Sequence, residues 1–263
     1  MLINPFSRGK KEVFLDVHAL SPPLALGIIA SLTPDDWEVE ILDENFEDFE
    51  FREADIVGLT AMTANVNRAY EIAAIYRKKN IKTVIGGIHA SMLPEEAGRY
   101  VDTVVTGEAE SVWKALISDF EKGGMKSLYE GKLLPMKESP LARRDLFHPD
   151  YSYANIQTTR GCPMKCEFCS VHTFNGQHYR ERPVEDVLDE LETITHDKVY
   201  FVDDNIIGYS KKSKERAKKL FKGMIDRGIK KDWYCQASLN VADDEEVLGY
   251  MAGSGCKMIL IGI

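Results

Sequence analysis

What most constrains the fold of this chain is an alternation of short apolar, strand-like runs with helical patterns, present through residues 1–122 and begun again near residue 154. In the first series Leu2–Asn4 is an apolar start, and Leu24–Leu32 has helical spacing directly after Pro22–Pro23, a good helix opening. Trp37–Leu42 alternates apolar and acidic residues as a strand does. Asp55–Thr60, Lys82–Gly86 and Asp102–Thr106 read as strands, with helices over Val66–Lys79, Pro94–Tyr100 and Glu108–Lys122. Such alternation predicts a parallel sheet covered on both faces.

Residues 123–152 break the pattern. Gly123, Gly124, Gly131, Pro135, Pro140 and Pro149 punctuate the stretch, and 126–152 reads as a linker between a domain over 1–125 and another over 153–263. The second series has strands at Ala154–Thr158, Lys198–Val202, Trp233–Ala237 and Met258–Ile261. Helices are expected at Pro183–Thr193, Lys211–Arg227 and Asp243–Ala252, the last with acidic residues at its start, as the helix dipole favours. The fold class expected is therefore α/β, with a Rossmann-like parallel sheet in the first half and a second βα series after it. The sequence stops on a strand with no helix to cover it, an odd place for a domain to end.

Composition bounds the function. With 263 residues the chain can bury a core without disulfide staples. No apolar run approaches the ~18 residues of a membrane span, and Met1–Lys11 is basic but leads into no apolar signal segment. A net charge of -9 argues against a broad nucleic-acid surface. Residues 35–55 hold eleven acids and one base, and 211–231 hold ten bases and two acids; both runs read as solvated faces. Of five cysteines, three crowd into eight positions while Cys235 and Cys256 stand alone. That is no disulfide framework; it suits metal-binding thiolates in a reducing cytoplasm.

The crowded three lie in Thr158-Thr159-Arg160-Gly161-Cys162-Pro163-Met164-Lys165-Cys166-Glu167-Phe168-Cys169, a CxxxCxxC spacing just after an expected strand. Thiolates are the natural ligands of iron–sulfur clusters. Three of them leave one iron of a cubane open, and an open position is what turns a structural metal site into a reactive one. Two other readings stay open on the residues alone: a Cys₃His zinc knuckle that adds His172, and a closed electron-transfer cluster completed by Cys235 or Cys256.

This loop resembles that of radical S-adenosylmethionine enzymes, CxxxCxxΦC with Φ aromatic, here Phe168. The resemblance implies that Cys162, Cys166 and Cys169 ligate a 4Fe-4S cluster whose open iron chelates S-adenosylmethionine, with Phe168 near the adenine. One electron from the cluster then cleaves the sulfonium to a 5′-deoxyadenosyl radical. Tyr179–Leu191 and the Phe201-Val202-Asp203-Asp204-Asn205 stretch resemble the cobalamin-dependent branch. By that resemblance Asp203, Asp204 and Asn205, with Gln236 and Ser238 on the next strand, contact S-adenosylmethionine; Asp204 or Asn205 capping a turn is the plainer alternative. Arg160 reads equally as a neighbour of the cluster or as a surface residue. The tail from Ala252 resembles the family's AGC…GIES segment and ends before the glutamate, with Cys256 read as a core residue; the resemblance implies that this half is an incomplete βα barrel, truncated at its C-terminus, with four strands where family barrels have six.

The first half resembles cobalamin-binding domains fused to such enzymes, through Pro22–Leu32 and through Val84–Glu110 with its GGIHAS stretch. Ligands of open α/β sheets bind outside the carboxyl ends of the strands. Thr60, Gly86, Gly87 and His89 are the candidate cobalamin contacts, Gly86–Gly87 allowing close approach of a flat ligand. Asp16-Val17-His18 lacks the glycine of the DxHxxG motif and reads as chance; for His89, a loop histidine bonded to backbone is the safer reading.

The resemblance implies a radical S-adenosylmethionine enzyme with a cobalamin-binding domain that methylates an unactivated carbon of a small-molecule or lipid substrate. An electron donor such as flavodoxin or ferredoxin would serve it. A non-methylating cyclisation or rearrangement enzyme of the same branch is one alternative, and a non-catalytic cluster- or cobalamin-binding fragment is another.

Overall fold

The computed structural model describes residues 1–6 and 22–262; the Asp16-Val17-His18 triplet lies outside them. The chain divides into two compact units, one of residues 1–134 and 140–150, the other of 135–139 and 151–263.

The first unit is built on a six-stranded sheet, all of whose pairings are parallel. Its strands are β1 (Leu2–Asn4), β2 (Ile41–Asp43), β3 (Ile56–Thr60), β4 (Lys82–Gly86), β5 (Thr103–Thr106) and β6 (Leu128–Glu130), in the order β2-β1-β3-β4-β5-β6. Alternate strand residues feed two separate cores. Leu2, Ile56, Val84 and Val105 pack with α1 (Leu24–Leu32) and α5 (Trp113–Glu121), while Ile3, Val57, Ile85 and Val104 pack with α2 (Val66–Arg77), α3 (Ile88–Met92) and α4 (Pro94–Ala97). This period of two is what a sheet covered on both faces imposes. The chain leaves β1 for β2 on one side and returns to β3 on the other, so the topological switch lies between β1 and β3.

The stretch read as a linker does more than connect. Leu128–Glu130 adds the edge strand β6, with Tyr129 buried and its hydroxyl donating to Asp119 at 2.8 Å. Residues 140–150 fold back on the first unit, where the Arg143 amide donates to the Gly27 carbonyl at 2.9 Å. The strand expected at Trp37–Leu42 is confined to Ile41–Asp43, where a parallel partner exists at Leu2–Asn4.

The second unit has four parallel strands, β7 (Ala154–Ile156), β10 (Lys198–Phe201), β11 (Asp232–Ala237) and β12 (Cys256–Ile261), in the order β12-β11-β10-β7. A small antiparallel pair, β8 (Thr159–Arg160) and β9 (Arg180–Glu181), brackets the cysteine loop and the short helix α6 (Val171–Phe174). Helices α7 (Val184–Thr193), α8 (Lys211–Asp226) and α9 (Glu245–Gly253) cover one face. There Trp233 stacks on Phe221 at 5.0 Å between ring centroids and meets Phe201 edge-on. The opposite face carries a row of paired residues, Asn155, Tyr200, Tyr234 and Met258, the last reached across a register shift between Trp233 and Tyr234. A sheet with one apolar face under helices and one mixed face is the wall of a βα barrel, whose sites lie at the carboxyl ends of the strands. Cys256, expected in the core, is half-buried at its margin on the edge strand. Among the described residues no helix is long and apolar enough to cross a membrane.

Candidate functional site

In the second unit the site is assembled around the chain leaving β7. Asp203, just past β10, is fully buried. Its Oδ1 accepts from the Thr158 amide at 2.6 Å and the Thr159 amide at 2.8 Å, and its Oδ2 from the Thr158 hydroxyl at 2.7 Å. Burial pushes this carboxyl up, and the threonine donors and the nearby Arg216 pull it back. The Thr158 carbonyl is held in turn by the Arg182 amide at 2.9 Å and the Arg216 guanidinium at 3.3 Å. Arg216 also donates to the Arg182 carbonyl at 2.8 Å, and Arg182 forms a buried pair with Glu190 at 2.6 Å. Buried charges persist only when paired and hydrogen-bonded in this way.

The cysteine loop starts from this fixed point. Gly161 has φ +91°, and a Cβ there would overlap the His178 carbonyl oxygen, so the chain crosses the 175–178 turn at backbone distance. The Cys162 amide donates to the Gly176 carbonyl at 3.0 Å, and the Cys169 amide to the Cys166 carbonyl at 3.1 Å. All three cysteines are free and half-buried, and Phe168 is 92% exposed.

That donor set fits a cubane: three thiols on one closed turn, none sunk in the core. Among the described residues no three His, Cys, Asp or Glu side chains converge as ligands of a single ion would. A cluster does not need that convergence, since each cysteine attaches to a different iron. His172, the fourth ligand of the zinc alternative, sits on α6 with Nδ1 buried and without a hydrogen-bond partner. Arg160 is buried and donates to Gln157 at 2.7 Å, so it is no surface arginine.

The other expected residues divide by exposure. Asp204 is half-buried and accepts from Asn175 at 3.2 Å; burial pushes its carboxyl up against that bond. Asn205 is buried: Oδ1 accepts from the Ile207 amide at 3.3 Å and Nδ2 donates to the Ser238 hydroxyl at 3.2 Å. Tyr179 donates to the Asn205 carbonyl at 2.6 Å, and burial raises its pKa far above the ordinary value. Gln236 is exposed, and its carbonyl accepts from the Ile206 amide at 3.1 Å. Arg182, Arg216 and Tyr209 were not anticipated: they meet the loop across tens of residues, and no local spacing marks them.

In the first unit, Gly87 has φ +99°, and a Cβ there would lie 2.7 Å from the Ala61 carbonyl oxygen. The turn after β4 is thereby pressed against the turn after β3, whose Met62 is 60% exposed and whose Thr63 is exposed. Thr60 and Gly86 are half-buried at this rim. His89 lies on α3, not in a loop, and is 3% exposed. Its ring nitrogens meet Thr63 Oγ1 at 3.1 Å and Glu96 Oε1 at 3.3 Å, side chains and not backbone. It braces the rim and presents no nitrogen outward. A flat ligand fits this glycine-lined edge through backbone approach.

Comparison with known proteins agrees with both halves. Residues 11–117 match the B12 binding domain family, and residues 156–263 match the Radical SAM superfamily. The bacteriochlorophyllide d C-12(1)-methyltransferase of Chlorobaculum tepidum is 33% identical over 100% of this chain and 59% of its own length. The hopanoid C-2 methylase of Rhodopseudomonas palustris is 28% identical over 94% of this chain and 49% of its own. The chain thus spans a little over half the length of such relatives. The solved structure of the radical S-adenosylmethionine methyltransferase TsrM from Kitasatospora setae, with cobalamin and a 4Fe-4S cluster bound, superposes with a TM-score of 0.76 at 21% identity, over 99% of this chain and 60% of that one. The cobalamin-dependent radical enzyme OxsB, with aqua-cobalamin and S-adenosylmethionine bound, gives 0.78 at 18% identity, over 100% and 43%. With a B12-binding domain ahead of a radical SAM domain, the chain belongs to the radical S-adenosylmethionine superfamily, in its cobalamin-binding branch.

Proposed function

We propose that this chain is the cofactor-binding portion of an enzyme that methylates an unactivated carbon of a small-molecule or lipid substrate. The observation that carries the reading is the free three-cysteine loop, fixed at its base by the buried Asp203 and preceded in the same chain by a B12-binding domain. Cys162, Cys166 and Cys169 would hold a 4Fe-4S cluster. Bound there, the cluster would supply the electron for reductive cleavage of S-adenosylmethionine, and cobalamin the methyl group.

The protein's part is to bind, orient and exclude water. Phe168 is free to lie against the adenine, and Asp204, Gln236 and Ser238 have the exposure to meet polar groups of S-adenosylmethionine. Asp203 and Asn205 act at one remove, by holding the loop and the turn that carry those groups. The row Asn155, Tyr200, Tyr234 and Met258 offers the substrate a mixed polar and apolar wall. In the first unit Thr60, Gly86 and Gly87 form the edge for cobalamin, with His89 as their brace.

The electron comes from an acidic carrier of the flavodoxin or ferredoxin type. Supporting this is a groove in which Lys137, Lys211, Lys212, Lys219 and Arg180 outnumber Glu181 and Glu215; Arg180 is on β9, which pairs with the strand leading into Cys162. Basic rims of this kind steer acidic partners.

The test is anaerobic reconstitution of the chain, iron and acid-labile sulfide analysis, and EPR of the reduced protein with and without S-adenosylmethionine. Iron with sulfide, and a signal that changes when S-adenosylmethionine is added, are expected. Zinc without sulfide would overturn the assignment.

A further inference from the structure

Tyr209 lies four residues beyond Asn205, and neither the cysteine motif nor the Asp203–Asn205 stretch includes it. Its hydroxyl is 3.5 Å from Cys162 Sγ and 3.0 Å from Ser238 Oγ. Each contact taken alone leaves the donor undecided. The two ends of the chain of contacts decide it. At one end, Asn205 Oδ1 is occupied by the Ile207 amide at 3.3 Å, which turns Nδ2 toward Ser238 Oγ at 3.2 Å. An amide NH₂ can only donate, so one lone pair of Ser238 is filled and its own proton is free for Tyr209. At the other end, a cysteine that ligates a metal is a thiolate and can only accept. One arrangement satisfies these contacts, with Asn205 Nδ2 also facing the Gly208 carbonyl at 3.5 Å and the Tyr209 hydroxyl: Asn205 to Ser238, Ser238 to Tyr209, Tyr209 to Cys162.

We infer that Tyr209 is the hydrogen-bond donor that tunes the cluster through the sulfur of Cys162, and that Asn205 and Ser238 are the positioning residues that orient its proton. The inference rests on the reading of Cys162 as a cluster ligand. Hydrogen bonds to ligand sulfurs, together with cluster charge and exposure, set the reduction potential of iron–sulfur clusters. A donor at Cys162 stabilises the charge that reduction adds to the sulfurs, so it raises the potential. Successive bonds polarise one another, so the amide at the far end strengthens the one at the sulfur. This gives the chain a device for setting how strong a reductant its cluster is, separate from the three ligands. It also gives Ser238 and Asn205 a task at the cluster, whatever either contributes to S-adenosylmethionine binding.

The experiment is an EPR-monitored redox titration of the reconstituted full chain, without S-adenosylmethionine, for the native protein, Tyr209→Phe and Ser238→Ala. Iron and sulfide are measured for each. The expected result is unchanged cluster content, a midpoint shifted to more negative potential in Tyr209→Phe, and a smaller shift of the same sign in Ser238→Ala. An unshifted midpoint in Tyr209→Phe at full cluster content overturns the inference and leaves the cluster assignment standing. Should Tyr209→Phe fail to hold a cluster, Ser238→Ala decides: a negative shift upholds the donor chain, and no shift overturns it. A native protein that forms no cluster overturns the cluster assignment itself, and the inference with it.

Discussion

Asp203 grips Thr158 twice, its Oδ1 on the amide at 2.6 Å and its Oδ2 on the hydroxyl at 2.7 Å, across 45 residues of sequence. The base of the cysteine loop is therefore set by the end of the neighbouring strand. In Asp203→Asn the carboxylate is lost: the side-chain oxygen can still accept from both amides, while the NH₂ must donate to a Thr158 hydroxyl turned from donor to acceptor, so three bonds to a charged group become bonds to a neutral one. Hydrogen bonds to a buried charged group are worth about 1.5–3 kcal/mol, so a loss of about 2 kcal/mol is expected in denaturant unfolding, with reduced cluster retention. A variant as stable as the native protein, with full iron content, would show the brace to be dispensable.

Gly161→Ala should strike the loop more selectively. The site combines φ +91° with an added Cβ that meets the His178 carbonyl. The left-handed conformation alone costs an L-residue about 1–2 kcal/mol, and here the backbone must also move. Iron incorporation should fall while the far-UV circular dichroism, governed by the helices and sheets, stays near native. Normal iron content would mean that the loop tolerates a different path past residues 175–178.

Gly87→Ala is the counterpart in the first unit, where the new Cβ would crowd the Ala61 carbonyl at 2.7 Å. Relaxing that clash pushes the β4 turn away from the β3 turn. With a cost of about 1–2 kcal/mol, cobalamin affinity should weaken roughly tenfold, as followed by the visible spectrum of cobalamin retained on a desalting column. Cluster content should not change. Equal retention by the variant would move the cobalamin contacts elsewhere.

Much of this was legible in the sequence, for identifiable reasons. Leu24–Leu32 and Lys82–Gly86 are found at the residues that periodicity marks, because a strong apolar pattern and a Pro or Gly boundary are local signals. Leu128–Glu130 was hidden because three residues carry no period; it is a strand only because β5 offers it a parallel edge. The β8–β9 pair, two residues on each side, was hidden likewise. Within the site, spacing marks the cysteines, because all three come from one short loop. Arg216 and Tyr209 reach Thr158 and Cys162 from 58 and 47 residues away, and only the fold brings them there. At His89 the motif marks a candidate ligand contact, and only the fold shows that its ring nitrogens meet Thr63 and Glu96.

Asp244 ties stability to pH in the second unit. It caps α9, accepting from the Val247 amide at 3.1 Å, and it pairs with Lys218 at 3.2 Å. The Val247 bond, followed by Lys218, holds its carboxyl below the ordinary value of 3.8. A depressed carboxyl pKa gives stability that is full above the unfolded value and is lost as pH falls through the folded one. Asp244→Ala should therefore cost about 1 kcal/mol at neutral pH, the usual worth of such a cap. The gap from the native protein should close as pH falls below about 4. Unfolding curves at several pH values provide the check; a gap that persists unchanged at the lowest pH would assign the loss to packing.

The basic groove gives the last prediction. Lys211, Lys212 and Lys219 are exposed on α8, and none has a carboxylate partner within ion-pair distance among the described residues. Uncompensated charges of one sign raise the encounter rate with an opposite partner and matter less to the bound contact itself. In a Lys211→Glu, Lys212→Glu double variant, reduction of the cluster by a reduced acidic flavodoxin should slow roughly tenfold at low salt. Raising the salt should narrow the difference, because exposed charges are screened over about 10 Å at 0.1 M. Reduction by dithionite, a small diffusing reductant, reports on the cluster alone and should be much less affected. Stopped-flow bleaching of the cluster absorbance separates the two. Equal slowing with both reductants would locate the effect in the cluster loop; no slowing with flavodoxin would move the docking site off this groove.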